Sequence, residues 1–412
     1  MTLPLRIMTR DFQLINEVDN YSSLQISRSW HGIGSLELRI NRYLPGANEL
    51  TRGRIIFPQN KLNKAFVIRH REIELNQDGK ASENWLIRAL PLKSWTGQRI
   101  TYPPSTTAYD NKQSDAETVM LHYLANNLIA PVDAERIMAD VVAAPNQNRG
   151  SSISWQSRYE NLAEELTKIS LLSGLGWNIE MDTVNKQFVF RILEGRDLTV
   201  NQSILPPAIF SPEFGTLRQL GYTESDLNFK NTAIVAGEGE GVERRVIEVG
   251  VSNGHDRYEL FVDARDVAEM TEDDEPAPRP VSEIEADLIN RGQQEMIEYE
   301  QEVYLEGQIM TPVKKFETVT NTHHLTQFQP VETYARKERQ GGLMYESDYD
   351  LGDMVTLQNK DWGVTLDARI TEIKEIYEPG NYRIDASFGN SRPTLIDKIK
   401  QELKQTSAEV RR

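Results

Sequence analysis

Two stretches near opposite ends of this chain alternate apolar and polar residues without a break, and that period confines them to strands with one buried face. Leu36, Leu38 and Ile40 interleave with Glu37, Arg39 and Asn41. Leu366, Ala368 and Ile370 follow the same rule, and beyond a Glu378-Pro379-Gly380-Asn381 turn so do Tyr382, Ile384, Ala386 and Phe388. Successive side chains of a strand point to opposite faces, so each run offers one apolar face to a core. Runs at 65–75 and 83–92 flank Asn76-Gln77-Asp78-Gly79-Lys80, whose Asp-Gly step suits positive φ and predicts a hairpin. Short strands at this density point to a barrel or a sandwich, and alternation does not choose between them.

The period changes after Tyr102-Pro103-Pro104. Ser114-x-x-Glu117 ahead of Met120, Leu121, Leu124 and Leu128 predicts a capped helix, and Ser157-x-x-Glu160 ahead of Leu162, Leu166 and Ile169 predicts a second, ending at Ser173-Gly174. Strands return at Trp177 to Met181 and Gln187 to Leu193 around a polar Asp182 to Lys186 turn, so this middle block reads as α+β. The acidic, proline-rich residues 271–280 predict an exposed connector, followed from Ser282-x-x-Glu285 by a long polar helix carrying Ile284, Leu288, Met296, Tyr299 and Val303. Past Pro393, Leu395, Ile399 and Leu403 form a thin helical stripe suited to docking on a partner.

Bulk properties narrow the function classes. A chain of 412 residues exceeds one ordinary core, so roughly two to four domains are expected. The absence of cysteine removes disulfides, thiolate metal sites and cysteine nucleophiles, which leaves packing to hold the fold. No apolar run long enough for a signal peptide or a membrane span occurs, so assembly in a cytoplasm without a membrane anchor is expected. A net charge of −16 repels nucleic acid and anionic membranes, and it suits a wall past which DNA slides without sticking.

Catalytic and cofactor signatures are missing. Gly237-Glu-Gly-Glu-Gly241 lacks both the Gly-x-Gly-x-x-Gly spacing of a dinucleotide loop and the Gly-Lys-Ser/Thr of a triphosphate loop, and its glutamates repel phosphate; it reads as a β connection with Gly239 at positive φ. The histidines, 31, 70, 122, 255, 323 and 324, show no metal-ligand spacing, and the adjacent pair 323 and 324 projects to opposite faces if extended. Glu272-Asp273-Asp274-Glu275 lacks the spacing of a calcium loop, and no Gly-x-Ser-x-Gly elbow occurs. No enzyme activity, cofactor or metal is expected.

Four blocks in order carry a resemblance. Asn231-Thr-Ala-Ile-Val-Ala-Gly237-Glu-Gly239-Glu-Gly241-Val-Glu-Arg244 is followed by Val262-Asp263-Ala264-Arg265-Asp266, then by Asp350-Leu351-Gly352-Asp353-Met354-Val355, then by Asp367-Ala368-Arg369-Ile370-Thr371-Glu372 with Phe388-Gly389. Together with Tyr21 to Asn41 and Ile87 to Ile100, this resembles the tail-tip hub proteins of siphophages and prophages, over nearly the whole chain. Such proteins are similar in fold to the trimeric baseplate hub of contractile phages and to the N-terminal hub region of tail-associated lysins.

The resemblance implies an α+β, β-rich fold with two barrel-like β domains and inserted α+β segments. One barrel is residues 1–104; the second is 205–262 with 305–392; the insertions are 105–204 and 263–304; 393–412 is a helical tail. It implies a structural virion protein, a homotrimeric ring joining tail tube to tip. Its implied partners are the distal tail protein, the tape-measure protein and the tip or receptor-binding proteins, with DNA passing through unbound. The rival readings are a tail-associated peptidase or cell-wall hydrolase, and a carbohydrate-binding receptor module, whose sign would be clustered exposed tryptophans.

Overall fold

A computed structural model describes residues 3–74, 83–271, 277–310 and 342–389. The Asn76 to Lys80 turn, Glu272 to Glu275, His323 and His324, and the stripe of Leu395, Ile399 and Leu403 lie outside the described residues. The first block holds β1 (Leu5–Met8), β2 (Leu14–Val18), β3 (Ser23–Ser29), β4 (Ser35–Asn41), β5 (Ile55–Pro58), β6 (Phe66–Glu72) and β7 (Asn84–Pro91). In β4 the alternation works as read: Leu36, Leu38 and Ile40 are buried, while Arg39 faces water. β6 and β7 pair antiparallel as the hairpin reading requires, with Phe66 opposite Pro91 and Glu72 opposite Leu86.

The middle block contains β8 (Asp110–Asp115), α1 (Ala116–Leu124), β9 (Val141–Ala143), β10 (Ser152–Ser157), α2 (Leu162–Ser173), β11 (Gly176–Asp182) and β12 (Gln187–Leu193). Both helices form, with caps shifted from the expected serines. Asp115, one residue past Ser114, accepts from the Thr118 amide at 2.9 Å, and Asn161 accepts from Ala163 at 3.0 Å. Ser157 instead ends β10, its hydroxyl 2.7 Å from that of Thr101. An Asx side chain adjoining the first turn reaches its amides directly, so it displaces a more distant serine as cap. Gly174, at φ 74°, closes α2 as expected.

Next come β13 (Asp197–Leu198), β14 (Ile209–Phe210), β15 (Leu217–Ser225), β16 (Thr232–Ala236), β17 (Val246–Val249) and β18 (Glu259–Asp263). After α3 (Val281–Met296) follow β19 (Glu302–Ile309), β20 (Met354–Asn359), β21 (Val364–Glu378) and β22 (Asn381–Gly389). Ser282 lies inside α3 rather than capping it, and Val303 belongs to β19 rather than to the helix. β16, flanked by β17 and parallel β18, forms a small sheet on which α3 packs through Ile284 and Leu288.

The α+β, β-rich class is what the fold displays, but its sheets do not close into barrels. One sheet runs β15-β19-β22-β21-β3-β4-β7-β6-β5-β1-β2 from edge to edge. Closure of the first block would need the free edge of β3, and β21 occupies that edge from Leu24 opposite Tyr377 to Ser29 opposite Glu372. The pairing makes the two terminal blocks continuous through about 350 residues of intervening chain. Their apolar faces fill adjoining cores, one around Leu24, Leu38 and Ile68, the other around Phe210, Leu357 and Phe388. A third core joins α1, α2, β11 and β12 to Trp95 and Phe57 of the first block. None of the described helices is long and apolar enough to cross a membrane.

Candidate functional site

The motif residues fall into two groups, and each group shapes a turn. In the first, β16 ends at Ala236 and the chain passes through Gly237 to Gly241 before β17. Arg244 folds back over this turn, donating from Nε to the Gly237 carbonyl at 2.8 Å and from Nη2 to the Ala236 carbonyl at 2.8 Å and to Asp263. Asp263 also faces Arg265 at 3.5 Å, while Asp266 accepts from Arg291 of α3 at 3.0 Å. Asn231 grips the far side, its amide 2.8 Å from the Asp256 carbonyl. Gly239 adopts φ 105°, and a methyl group there would lie 3.3 Å from Arg244 Cα, as a tight β connection demands.

The second group closes around Trp30, which follows β3. Gly352 sits at φ 92°, and a Cβ on it would lie 2.1 Å from Trp30 Cζ3; across the ring, a Cβ on Gly176 would lie 2.5 Å from it. The indole is thus seated between two bare backbones, one from the middle block and one from the C-terminal block, and its Nε1 donates to the Gly174 carbonyl at 3.0 Å. Arg369 lies 5.6 Å from the ring centroid and donates to the Gly352 carbonyl at 2.5 Å. Asp353 receives Arg196 at 2.6 Å and the Asp350 amide at 2.8 Å. Asp367 accepts from Thr356 at 2.5 Å and Asn201 at 2.6 Å.

Beside this slot lies a buried charged cluster that sequence reasoning missed. Lys64, 4% exposed, places its ammonium 2.5 Å from both Glu346 and Glu375. Tyr345 and Tyr377 donate to Glu375 at 3.2 and 2.7 Å, and Arg28 reaches the Tyr345 hydroxyl at 2.8 Å and Asp350 at 3.0 Å. Burial alone would lower the Lys64 pKa, but Glu375 and Glu346 outweigh it and hold the ammonium charged. Burial opposes ionisation of Glu346 too; Lys64 and Lys61 reverse that and push it down to about 2. Two signals were available in the chain: a lysine opening the apolar run Ala65 to Ile68, and Glu375 at an inward position between Ile373 and Tyr377.

Other expected residues lie apart. His31 bonds Ser170 at 2.7 Å, and burial, with Arg369 and Lys93 adding, drives its pKa to about 3. His122 pairs with Asp110 at 2.6 Å and His70 with Glu72 at 2.9 Å. Among the described residues no group of three His, Asp or Glu could hold a metal. Of the six tryptophans, Trp362 alone is strongly exposed, at 49%, so they form no exposed cluster.

Two prophage and bacterial tail proteins share this fold. The 43 kDa tail protein of prophage MuSo2 from Shewanella oneidensis superimposes with TM-score 0.50 at 10% identity, over 93% of this chain and 98% of its own. The tail protein from Neisseria meningitidis MC58 does so with TM-score 0.50 at 10% identity, over 94% and 97%. No curated protein sequence matches the chain significantly. The chain belongs to the siphovirus ReqiPepy6 Gp37-like protein family, whose pattern it matches over residues 4–390.

Three outcomes follow from this geometry. Gly239→Val should lower stability by about 1 kcal/mol or more through backbone strain, read as a drop in melting temperature. Gly352→Ala adds a clash with Trp30 to the same strain, so a loss of at least about 2 kcal/mol and an altered tryptophan emission are expected. For Glu346 the folded pKa lies below its ordinary 4.5, so the unfolded chain binds the extra proton. Its contribution is present above 4.5 and is lost as pH falls towards 2, about 3 kcal/mol in all. Urea unfolding between pH 6 and 2 should show that slope, and Glu346→Gln should flatten it.

Proposed function

We propose that the chain is a structural subunit of a siphophage tail, a tip hub that forms a threefold ring between the tail tube and the tip. The observation that carries this reading is family membership over residues 4–390, joined to one continuous sheet that runs through both terminal β blocks. In this reading residues 1–104, and 205–262 with 305–392, are the two ring-building units of each subunit. Three copies then present six similar surfaces to a sixfold tube, which resolves the symmetry mismatch without an adaptor. Residues 105–204 and 263–304 lie outside the ring, and 393–412 docks on a neighbour in the tip. The distal tail protein, the tape-measure protein and the tip proteins are the partners.

The role is non-catalytic. Arg244, Asp263, Asp353, Asp367 and Arg369 each bond a neighbouring turn or strand, which suits a scaffold. DNA and tape-measure protein pass through a lumen that is neutral to acidic, because a wall poor in Lys and Arg gives phosphate few contacts. Quantitative mass spectrometry of purified virions should return three copies per particle, and cryo-electron microscopy of the tip a threefold ring. One or six copies would overturn the ring, and a lumen lined mainly by Lys and Arg would overturn the sliding wall.

A further inference from the structure

Between the first block, the middle block and Leu351 lies a cavity of about 30 Å³, walled by Trp30, Trp177 and three charged side chains: Arg28, Lys64 and Lys93. All three are cations, and among the described residues no carboxylate lines the space. Arg28 and Lys64 have acidic partners behind them, Asp350 for the first and Glu346 and Glu375 for the second. Lys93 has none among the described residues. Its ammonium, 3% exposed, donates to the carbonyls of Ser29 at 2.8 Å and Trp177 at 3.2 Å and lies 4.8 Å from the Trp177 ring centroid. An ammonium has three donors, so one remains for the cavity.

We propose that this cavity binds a small monovalent anion of halide size, which serves as the counter-ion of Lys93. A buried ammonium lacking an opposite charge costs several kcal/mol, and two carbonyls offset only part of that. The space exceeds the roughly 10–15 Å³ that one water-sized body requires, and a single negative charge balances the one ammonium that has no acidic partner. Burial, with Arg28 adding, also pulls Lys93 down to about 7, the direction expected where no acid faces it. The anion would sit where three parts of the chain meet, so its binding stabilises their junction, whatever the protein's place in a virion.

Crystals of the unaltered chain soaked in sodium bromide test this directly: anomalous density in the cavity, within hydrogen-bond reach of Lys93 Nζ, is the expected result. In solution at pH 6, the melting temperature in sodium chloride should exceed that in sodium gluconate of equal ionic strength by about 2 °C or more. Lys93→Met should abolish that difference. A cavity that holds only water in bromide-soaked crystals, or a chloride effect that persists in Lys93→Met, would overturn the proposal.

Discussion

The Lys64 ammonium between Glu346 and Glu375 is the interaction on which the junction of the terminal blocks rests. Removing one member of a buried ion pair leaves the other charge stranded, at a cost of about 3–5 kcal/mol, whereas the intact pair adds little net stability. Its effect is therefore on specificity. Glu375 lies in β21 opposite Ile26 of β3, and a slip of one residue would turn it to the other face. The charge pair and the hydrophobic pattern select the same register, so the long sheet has one way to form.

Trp30 extends the same logic to the middle block. Its ring fills a slot that exists because Gly176 and Gly352 carry no side chain, and Arg369 holds the second wall in place by bonding the Gly352 carbonyl. Three segments far apart in sequence thus meet at one indole.

How much was legible varied with the range of the information required. The β4 strand, the β11 and β12 hairpin and the β21 and β22 hairpin matched their expected limits closely, because alternation and turn chemistry are carried by neighbours in the chain. Helix existence was legible for the same reason, while the caps were displaced to Asp115 and Asn161, since several short polar residues competed for each position. The motif residues were read in the sequence as a family pattern. Only the folded chain assigned them to two turns, one under Arg244 and one around Trp30.

By itself the sequence determined that segments such as β4, β11, β12 and β22 are strands, which of their faces is apolar, and that Gly239 takes positive φ. These are consequences of local sterics and of a period written into adjacent residues. The tertiary structure decided that β3 pairs with β21 and leaves the sheet open, and that Lys64 and Lys93 lie inside. A strand's pattern names its faces but leaves its edges unspecified, because backbone donors and acceptors are alike at every residue. Which edge finds which partner depends on the side chains that meet once the chain has closed upon itself.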